Sequence, residues 1–367
     1  MINELLLSFA IPTWNRNREL KECLDSIVSQ IIEVDNSVEI FISDNASEDE
    51  TSSILAEYSE KYPFIRYSRN ENNLGFDLNL INAIEKSKGR YVWMFGDDDI
   101  LACGALKKIL SIIDEYNPDY ISVNFYQWIQ NGDSKEIVTN EILQMVNTDI
   151  SNVNFNQFLM IRNCGVSGFL SSSIVKKAVI NLQEVKSDIA KIILFPHLEI
   201  IAQAMSNNKG FVTSYYCVGQ RKNNGREVST ILFLTSFPAA FKFVFDKFGV
   251  ESKTREYIYS GIREMFLSPL LYQKTKILEG KNEIDLNPIP FPFQYLSMLV
   301  QDRNLISNAI IERDIIISKA NRYFELISEQ IKRKDSEIKN LKEDIEEYKQ
   351  IIKNLDEAIK YKTDLEL

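Results

Sequence analysis

The chain has 367 residues, with 42 lysines and arginines against 52 acidic residues, a formal net charge of −10, and 45% hydrophobic and 26% charged residues. At about 100–200 residues per domain, this length suggests two domains or one large domain with an appendage, able to bury a sizeable core. The acidic balance argues against a general nucleic-acid binder, because neutralising phosphates takes clustered cations.

Four cysteines, Cys23, Cys103, Cys164 and Cys217, lie far apart, and His197 is the single histidine. Zinc ligands come in short paired spacings, so the sequence argues against a Cys/His zinc site. The apolar stretch at the N-terminus is too short for a secretory h-region and is interrupted by Pro12. No window reaches the ~18 uninterrupted apolar residues of a membrane-spanning helix. The longest, Thr230 to Phe241, is broken by Pro238. The expected location is the cytosol, with reduced thiols; contact with a membrane surface stays open.

In chain order, Leu5 to Ile11 reads as a buried strand ended by Pro12. Leu20, Leu24, Ile27, Val28 and Ile31 then recur at helical spacing over Arg18–Ile32. Val38 to Ile42 predicts a second strand. Ser47 with Glu50 fits a capping box for a helix reaching Tyr62 and stopped by Pro63. A third strand over Phe64–Tyr67, a helix over Asp77–Lys86 and a fourth strand over Tyr91–Phe95 come next. Further on, the pattern predicts a helix beginning near Gly104, a strand over Tyr120–Phe125, and a strand running into a helix over Val166–Val175. A helix entered through Pro196 over Phe195–Met205 and a strand over Phe211–Val218 complete the series. The alternation implies an α/β fold with a mainly parallel sheet flanked by helices. Such sheets bind ligands beyond the carboxyl ends of their strands. That rule marks Pro12–Arg16, Asp44–Ser47 and Gly96–Asp99.

Residues 226–302 read as a helical extension of short, aromatic-rich helices interrupted by Pro238, Pro269 and the prolines of 287–292. In 303–367, Phe324, Ile327, Ile331, Ile338, Leu341, Ile345, Tyr348, Ile352, Leu355 and Ile359 repeat at spacings of three and four, with Lys334 interrupting the seam. A repeat sustained over about five heptads predicts a coiled coil, and its Ile/Leu alternation favours a parallel homodimer over a trimer.

Asp97, Asp98 and Asp99 follow an apolar strand and a glycine. Three adjacent carboxylates repel one another unless a cation offsets them, and hard Mn²⁺ or Mg²⁺ ions favour oxygen ligands. An acidic turn capping the next helix is the plainer alternative. Asp44 either accepts hydrogen bonds from a nucleoside or caps its own turn with Asn45 and Ser47. Asn15 and Arg16 either cradle a nucleotide or sit on the surface. Asn72, Asn73 and Gly75 form a turn. Arg69 and Arg221 offer the guanidinium fork that matches phosphate, or ordinary salt bridges. His197 and Glu199, at the start of a helix, each suit a general base; burial of the histidine and a helix-dipole role for the glutamate balance that reading. The P-loop, dinucleotide, hydrolase-elbow and zincin motifs are missing.

Four blocks in order, LeuSerPheAlaIleProThrTrpAsnArg (7–16), IlePheIleSerAspAsnAlaSer (40–47), AsnLeuGlyPhe (73–76) and TrpMetPheGlyAspAspAsp (93–99), resemble the successive blocks of family-2 glycosyltransferases with the GT-A fold. The resemblance covers roughly residues 5–225, which it implies are the catalytic domain (1–225), and is strongest over the first 110. GlyAspAspAsp resembles the bacterial branch that builds surface polysaccharides, including abequosyltransferase-like enzymes. The resemblance implies an inverting transferase with a nucleoside-diphosphate sugar donor held through Pro12, Thr13, Asn15, Arg16, Asp44, Asn73, Asp97 and Asp98. Asp97 and Asp99 would match its DxD metal motif and Arg221 would neutralise the diphosphate. The acceptor would be a lipid-linked glycan at the inner face of the cell membrane. The family's GluAsp pair in the acceptor half is replaced here by PheProHisLeuGlu (195–199), which leaves His197 nearest the expected base and Glu199 as the carboxylate alternative. A nucleotidyltransferase would carry a Gly-rich loop that is missing after the first strand. A coiled-coil scaffold with a binding but inactive α/β domain is the non-enzyme reading.

Overall fold

The computed structural model describes residues 5–34, 37–131, 134–138, 146–222 and 230–262. The expected coiled coil over 303–367 and the extension beyond 262 lie outside the described residues. One compact unit comprises residues 1–227 with 236–265; residues 228–235 with 266–367 form the other. The sheet belongs to the first unit.

The chain alternates as expected through β1 (Leu7–Thr13), α1 (Asn17–Ile31), β2 (Val38–Asp44), α2 (Thr51–Lys61), β3 (Ile65–Arg69), α3 (Gly75–Lys86) and β4 (Tyr91–Met94). It continues through β5 (Ile100–Leu101), α4 (Ala105–Tyr116), β6 (Tyr120–Asn131), β7 (Ser134–Val138), β8 (Ile150–Val153) and α5 (Phe155–Ser167). A 3-10 turn over Leu170–Ser172 precedes β9 (Ser173–Lys176); then come α6 (Leu182–Asp188), α7 (Pro196–Ala204), β10 (Gly210–Arg221), α8 (Thr230–Lys247) and a helix over 252–262. One sheet runs in the order β3-β2-β1-β4-β9-β6-β10-β5, with β7 paired to β6 and β8 to β10. Strands β3, β2, β1 and β4 are parallel; β9 lies antiparallel between β4 and β6, and β10 is parallel to β6. Leu20, Cys23, Leu24, Ile27, Val28 and Ile31 are the buried stripe of α1, the periodicity read from the sequence. Phe9 stacks on Trp93 with ring centroids 5.0 Å apart in the core between this helix and the sheet.

Four local expectations are corrected. Pro12 does not end β1, which continues in register with β2 to Thr13↔Asp44. Ala10 O accepts from Phe95 N on the β4 side, whereas Thr13 O accepts from Asn45 N on the β2 side. Alternation places the missing N–H of Pro12 toward β4, whose pairing has already ended at Ala10↔Met94. The Ser47–Glu50 capping box does not form, because Ser47 Oγ accepts from Asn15 N instead, and Asp49 Oδ1 takes Thr51 N–H at 3.0 Å. Over 166–175 the order is reversed, a helix end leading into β9. Pro238 lies inside α8, whose buried Phe237, Phe241 and Phe245 form an edge-to-face series with Phe195, so packing overrides the helix-breaking tendency.

The turn into β4 leaves no room for a side chain at Gly89, where a Cβ would stand 2.6 Å from Ser8 N and 2.7 Å from Leu7 C. Gly89→Ala is expected to cost about 1–3 kcal/mol by forcing backbone from backbone, read as a lowered urea midpoint at unchanged slope.

Candidate active site

The carboxyl ends of β1, β2 and β4 bring the three marked segments together. Thr13 Oγ1 donates to Asp97 Oδ2 at 2.8 Å, and Arg16 pairs with Asp98 at 2.5 Å and Asp97 at 3.6 Å. Asn15, in the left-handed region at φ +50°, donates its N–H to Ser47 Oγ at 2.9 Å and accepts from Glu48 N at 2.7 Å, tying the first segment to the second. Pro12 sits one residue before Thr13, paired to Ser43.

Residues from distant parts of the chain close on the same turn. Ser171 Oγ accepts from Gly96 N at 2.7 Å and donates to Asp99 Oδ2 at 2.6 Å. Arg221, the last residue of β10, donates its backbone N–H to Asp99 Oδ1 and its Nε–H to Asp98 O, both at 3.3 Å. Its guanidinium lies 4.1 Å above the Trp128 ring and pairs with Glu22 of α1 at 2.9 Å. Ser171, Trp128 and Glu22 escaped sequence reasoning, for each meets its partner across 72 to 199 positions or through a ring face. Burial, reinforced by Asp98, raises the Asp99 carboxyl well above its usual range. The Arg16 guanidinium, although desolvated, is held charged by Asp97 and Asp98. These carboxylates, one of them driven toward the neutral form by burial and by its neighbour's charge, are hard oxygen donors of the kind a divalent cation takes, so the donor chemistry of Asp97 and Asp99 fits such an ion.

Asp44 is buried and engaged: Ser47 N–H donates to Oδ1 at 3.0 Å and Arg69 to Oδ2 at 2.7 Å. Arg69 also holds Ser47 O. Asn73 Oδ1 accepts from Asn45 Nδ2 at 2.7 Å and from Gly75 N at 2.9 Å, where Gly75 turns into α3 at φ +80°. Asn45 Oδ1 takes Leu74 N–H and Asn70 Nδ2, while Asn79 Nδ2 donates to Ser43 O. An asparagine network thus fixes the β2 and α3 ends of the site. The sequence carries part of the signal, since Asn45, Asn70 and Asn73 cluster just after strand ends, although sequence reasoning does not reach Asn70 or Asn79.

His197 and Glu199 lie in the first turn of α7 and are both engaged elsewhere. His197 Nε2–H donates to Gly168 O at 2.9 Å, Nδ1 is buried with no hydrogen-bond partner among the described residues, and burial lowers the imidazole to about 4. Glu199 Oε1 accepts from Lys247 at 2.5 Å and from Gln203 at 3.3 Å, and burial raises its carboxyl. Glu184, Asp188 and Glu199 approach within 4.8 Å of one another, and Lys247 Nζ stands among them at 2.6, 2.8 and 2.5 Å. The Lys247 ammonium balances that cluster and locks α8 onto α6 and α7. Neither His197 nor Glu199 is bonded to the Asp97–Asp99 turn.

Comparison with known proteins agrees with this geometry. Over 182 residues the chain is 35% identical to the abequosyltransferase RfbV of Salmonella typhimurium, which takes in 47% of this chain and 53% of that protein. Over 110 residues it is 32% identical to the GalNAc(5)-diNAcBac-PP-undecaprenol beta-1,3-glucosyltransferase of Campylobacter jejuni, 30% of this chain and 35% of that one. The chain thus spans about half, or less, of the length of these curated relatives. Among solved structures, residues 1–349 of TarS from S. aureus in complex with UDP match with a TM-score of 0.54 at 18% identity over 80% of each chain, a likeness of fold. Residues 8–176 match the family model described as Glycosyl transferase family 2, and with the GT-A-like sheet around them they are a glycosyl transferase family 2 domain.

Proposed function

We propose that the chain is an inverting glycosyltransferase that moves a sugar from a nucleoside-diphosphate donor to a glycan acceptor. The observation that carries this reading is the convergence of three strand ends on Asp97–Asp99, between Arg16 and Arg221. Asp97 and Asp99 hold Mn²⁺ or Mg²⁺, which when bound offsets the charge of the departing diphosphate. Arg16 and Arg221 orient phosphate oxygens, Arg221 by exchanging Glu22 for them. Thr13, Asn15, Asp44 and Asn73 shape the nucleoside side, and Pro12 and Asp98 fix the turn geometry around it. The acceptor is a lipid-linked bacterial glycan, in keeping with the undecaprenol named for the Campylobacter relative. Among the described residues no helix is long and apolar enough to cross a membrane, which suits an enzyme working peripherally at the membrane's inner face.

A thermal-shift panel of UDP-, GDP-, CDP- and dTDP-sugars with and without Mn²⁺ tests the reading. One nucleotide class is expected to stabilise the chain by about 2.7 kcal/mol at a hundred times its dissociation constant, a shift of several degrees, only with the metal and not in Asp99→Ala. No shift with any of them sinks the donor site. A metal-dependent shift without sugar release to any acceptor, water included, favours the binding-only scaffold.

A further inference from the structure

A proton acceptor is still needed for the incoming hydroxyl, and the two side chains expected to serve are committed to Gly168 and Lys247. We infer that Asp77, at the joint between the N-termini of α3 and α7, is the group that takes this proton; the inference rests on the transferase reading.

Position comes first. Helix α3 leads from β3 into β4, so its N-terminus lies at the carboxyl edge of the parallel strands, where Asp97–Asp99 lie. Helix α7 leads into β10, which the sheet order makes parallel to β4, so its N-terminus lies at the same edge. Each end is linked to the acidic turn through one intermediate segment. Asn79, two residues after Asp77, donates to Ser43 O at 2.9 Å and Thr13 O at 3.4 Å, and Thr13 holds Asp97. His197 holds Gly168, three residues before the Ser171 that holds Asp99. The two helix starts meet directly, since both carboxylate oxygens of Asp77 accept from Leu194 N, at 3.0 and 3.1 Å, with Leu194 in the left-handed region at φ +69°. A non-glycine residue held there marks a constrained joint.

The chemistry suits the position. Asp77 is half-buried, so a hydroxyl can reach it, and the preceding residues Phe76 and Ile193 are 39% and 41% exposed, leaving apolar surface beside the carboxylate for a sugar ring. Charges on the neighbouring elements are committed elsewhere: Lys186 of α6 to Glu85, Asp188 and Glu199 to Lys247, Asp44 of β2 to Arg69. Burial therefore dominates and pushes the Asp77 carboxyl up to about 6, with the Leu194 N–H pulling the other way. A base with that value is ionised at neutral pH yet basic enough to accept a proton. In the step, the acceptor O–H bond breaks and its proton goes to an Asp77 oxygen. The freed oxygen bonds to the anomeric carbon, the bond from that carbon to the diphosphate oxygen breaks, and the nucleoside diphosphate leaves with the electron pair. Asp77 then returns its proton to solvent.

The test uses Asp77→Asn, which keeps an oxygen for Leu194 N–H, in the full chain. The readout is nucleoside-diphosphate release from the sugar nucleotide that stabilises the chain in the thermal-shift panel, with Mn²⁺ and water as acceptor. The expected result is a turnover lowered 10²-fold or more, loss of the acidic limb near pH 6, and an unchanged donor-dependent thermal shift; Asp77→Glu retains the limb and part of the rate. Turnover within tenfold of wild type, an acidic limb that persists in Asp77→Asn, or loss of its donor shift overturns the assignment. A wild type with no nucleotide-dependent shift overturns the transferase reading, and this inference with it.

Discussion

Arg162→Ala is expected to lower the melting temperature by on the order of ten degrees. Arg162 of α5 is fully buried, and among the described residues its partners are neutral: Nε–H donates to Ser122 Oγ at 3.0 Å, Nη1 to Asn124 Oδ1, and Nη2 to the carbonyls of Ser122 and Thr213 at 3.2 Å each. It fills the place where β10 slips register against β6 between Val212 and Tyr216, gathering acceptors that the sheet ladder leaves over. Burial lowers the guanidinium to about 10, so the side chain remains a cation at neutral pH. Truncation leaves a cavity and several orphaned acceptors, together about 3–5 kcal/mol, and a domain of this size shifts by roughly 2–4 °C per kcal/mol. Arg162→Lys recovers only part of this, because an ammonium cannot span the four-way fork. Thermal denaturation followed by circular dichroism decides, and a loss below about 1 kcal/mol contradicts the account.

Asp99→Asn carries the largest expected effect on activity, a loss of about 10³-fold or more in transfer, because it removes one charged oxygen donor at the point where the diphosphate departs. Its effect on metal-free stability has the opposite sign. A carboxyl raised in the folded state binds a proton there that the unfolded chain, with a value of about 3.9, gives up. The stability it contributes is fully present below that unfolded value and is lost as pH rises through the raised one. In EDTA, the wild type therefore melts at progressively lower temperature as pH rises over that window. Asp99→Asn melts at the higher temperature near neutrality with a flatter pH dependence. Calorimetry across pH 4–8 checks both; a wild-type curve as flat as the variant's removes the argument.

The elements β1 to β4 and their helices were readable because each burial pattern is local. The apolar positions of α1 recur at helical spacing, β2 carries the apolar residues Val38, Ile40, Phe41 and Ile42, and Pro63 and Gly104 punctuate. The acidic turn was readable because strand order alone places it at the ligand-binding edge. Strand β9 was not, since four residues following a helix gain strand character only from β4 and β6, whose partners lie more than 50 positions upstream. Nor could spacing reveal that Ser47 would serve Asn15 rather than its own helix. For His197 and Glu199 the sequence left a base and a buried helix-start residue equally open, because their partners, the Gly168 carbonyl and Lys247, 48 positions after Glu199, lie beyond the reach of spacing. Asp77 only opened the helix expected over Asp77–Lys86, because the Leu194 N–H it engages lies 117 positions away.

The insertion of β9 also governs the order in which the sheet can assemble on the ribosome. Strands β4 and β6 are not paired with each other; each meets the sheet's seam through residues 173–176. Until that segment has emerged, the nascent chain carries a four-stranded piece ending in the unpaired flank of β4 and a separate β6–β7 hairpin whose Tyr120–Ser122 edge still lacks its partner. An unpaired strand flank, with its backbone N–H and C=O groups open, is a template for intermolecular pairing. The same late segment brings Ser171 to the acidic turn, so the seal on the sheet's seam and one support of the site arrive together, and Arg221 follows with β10.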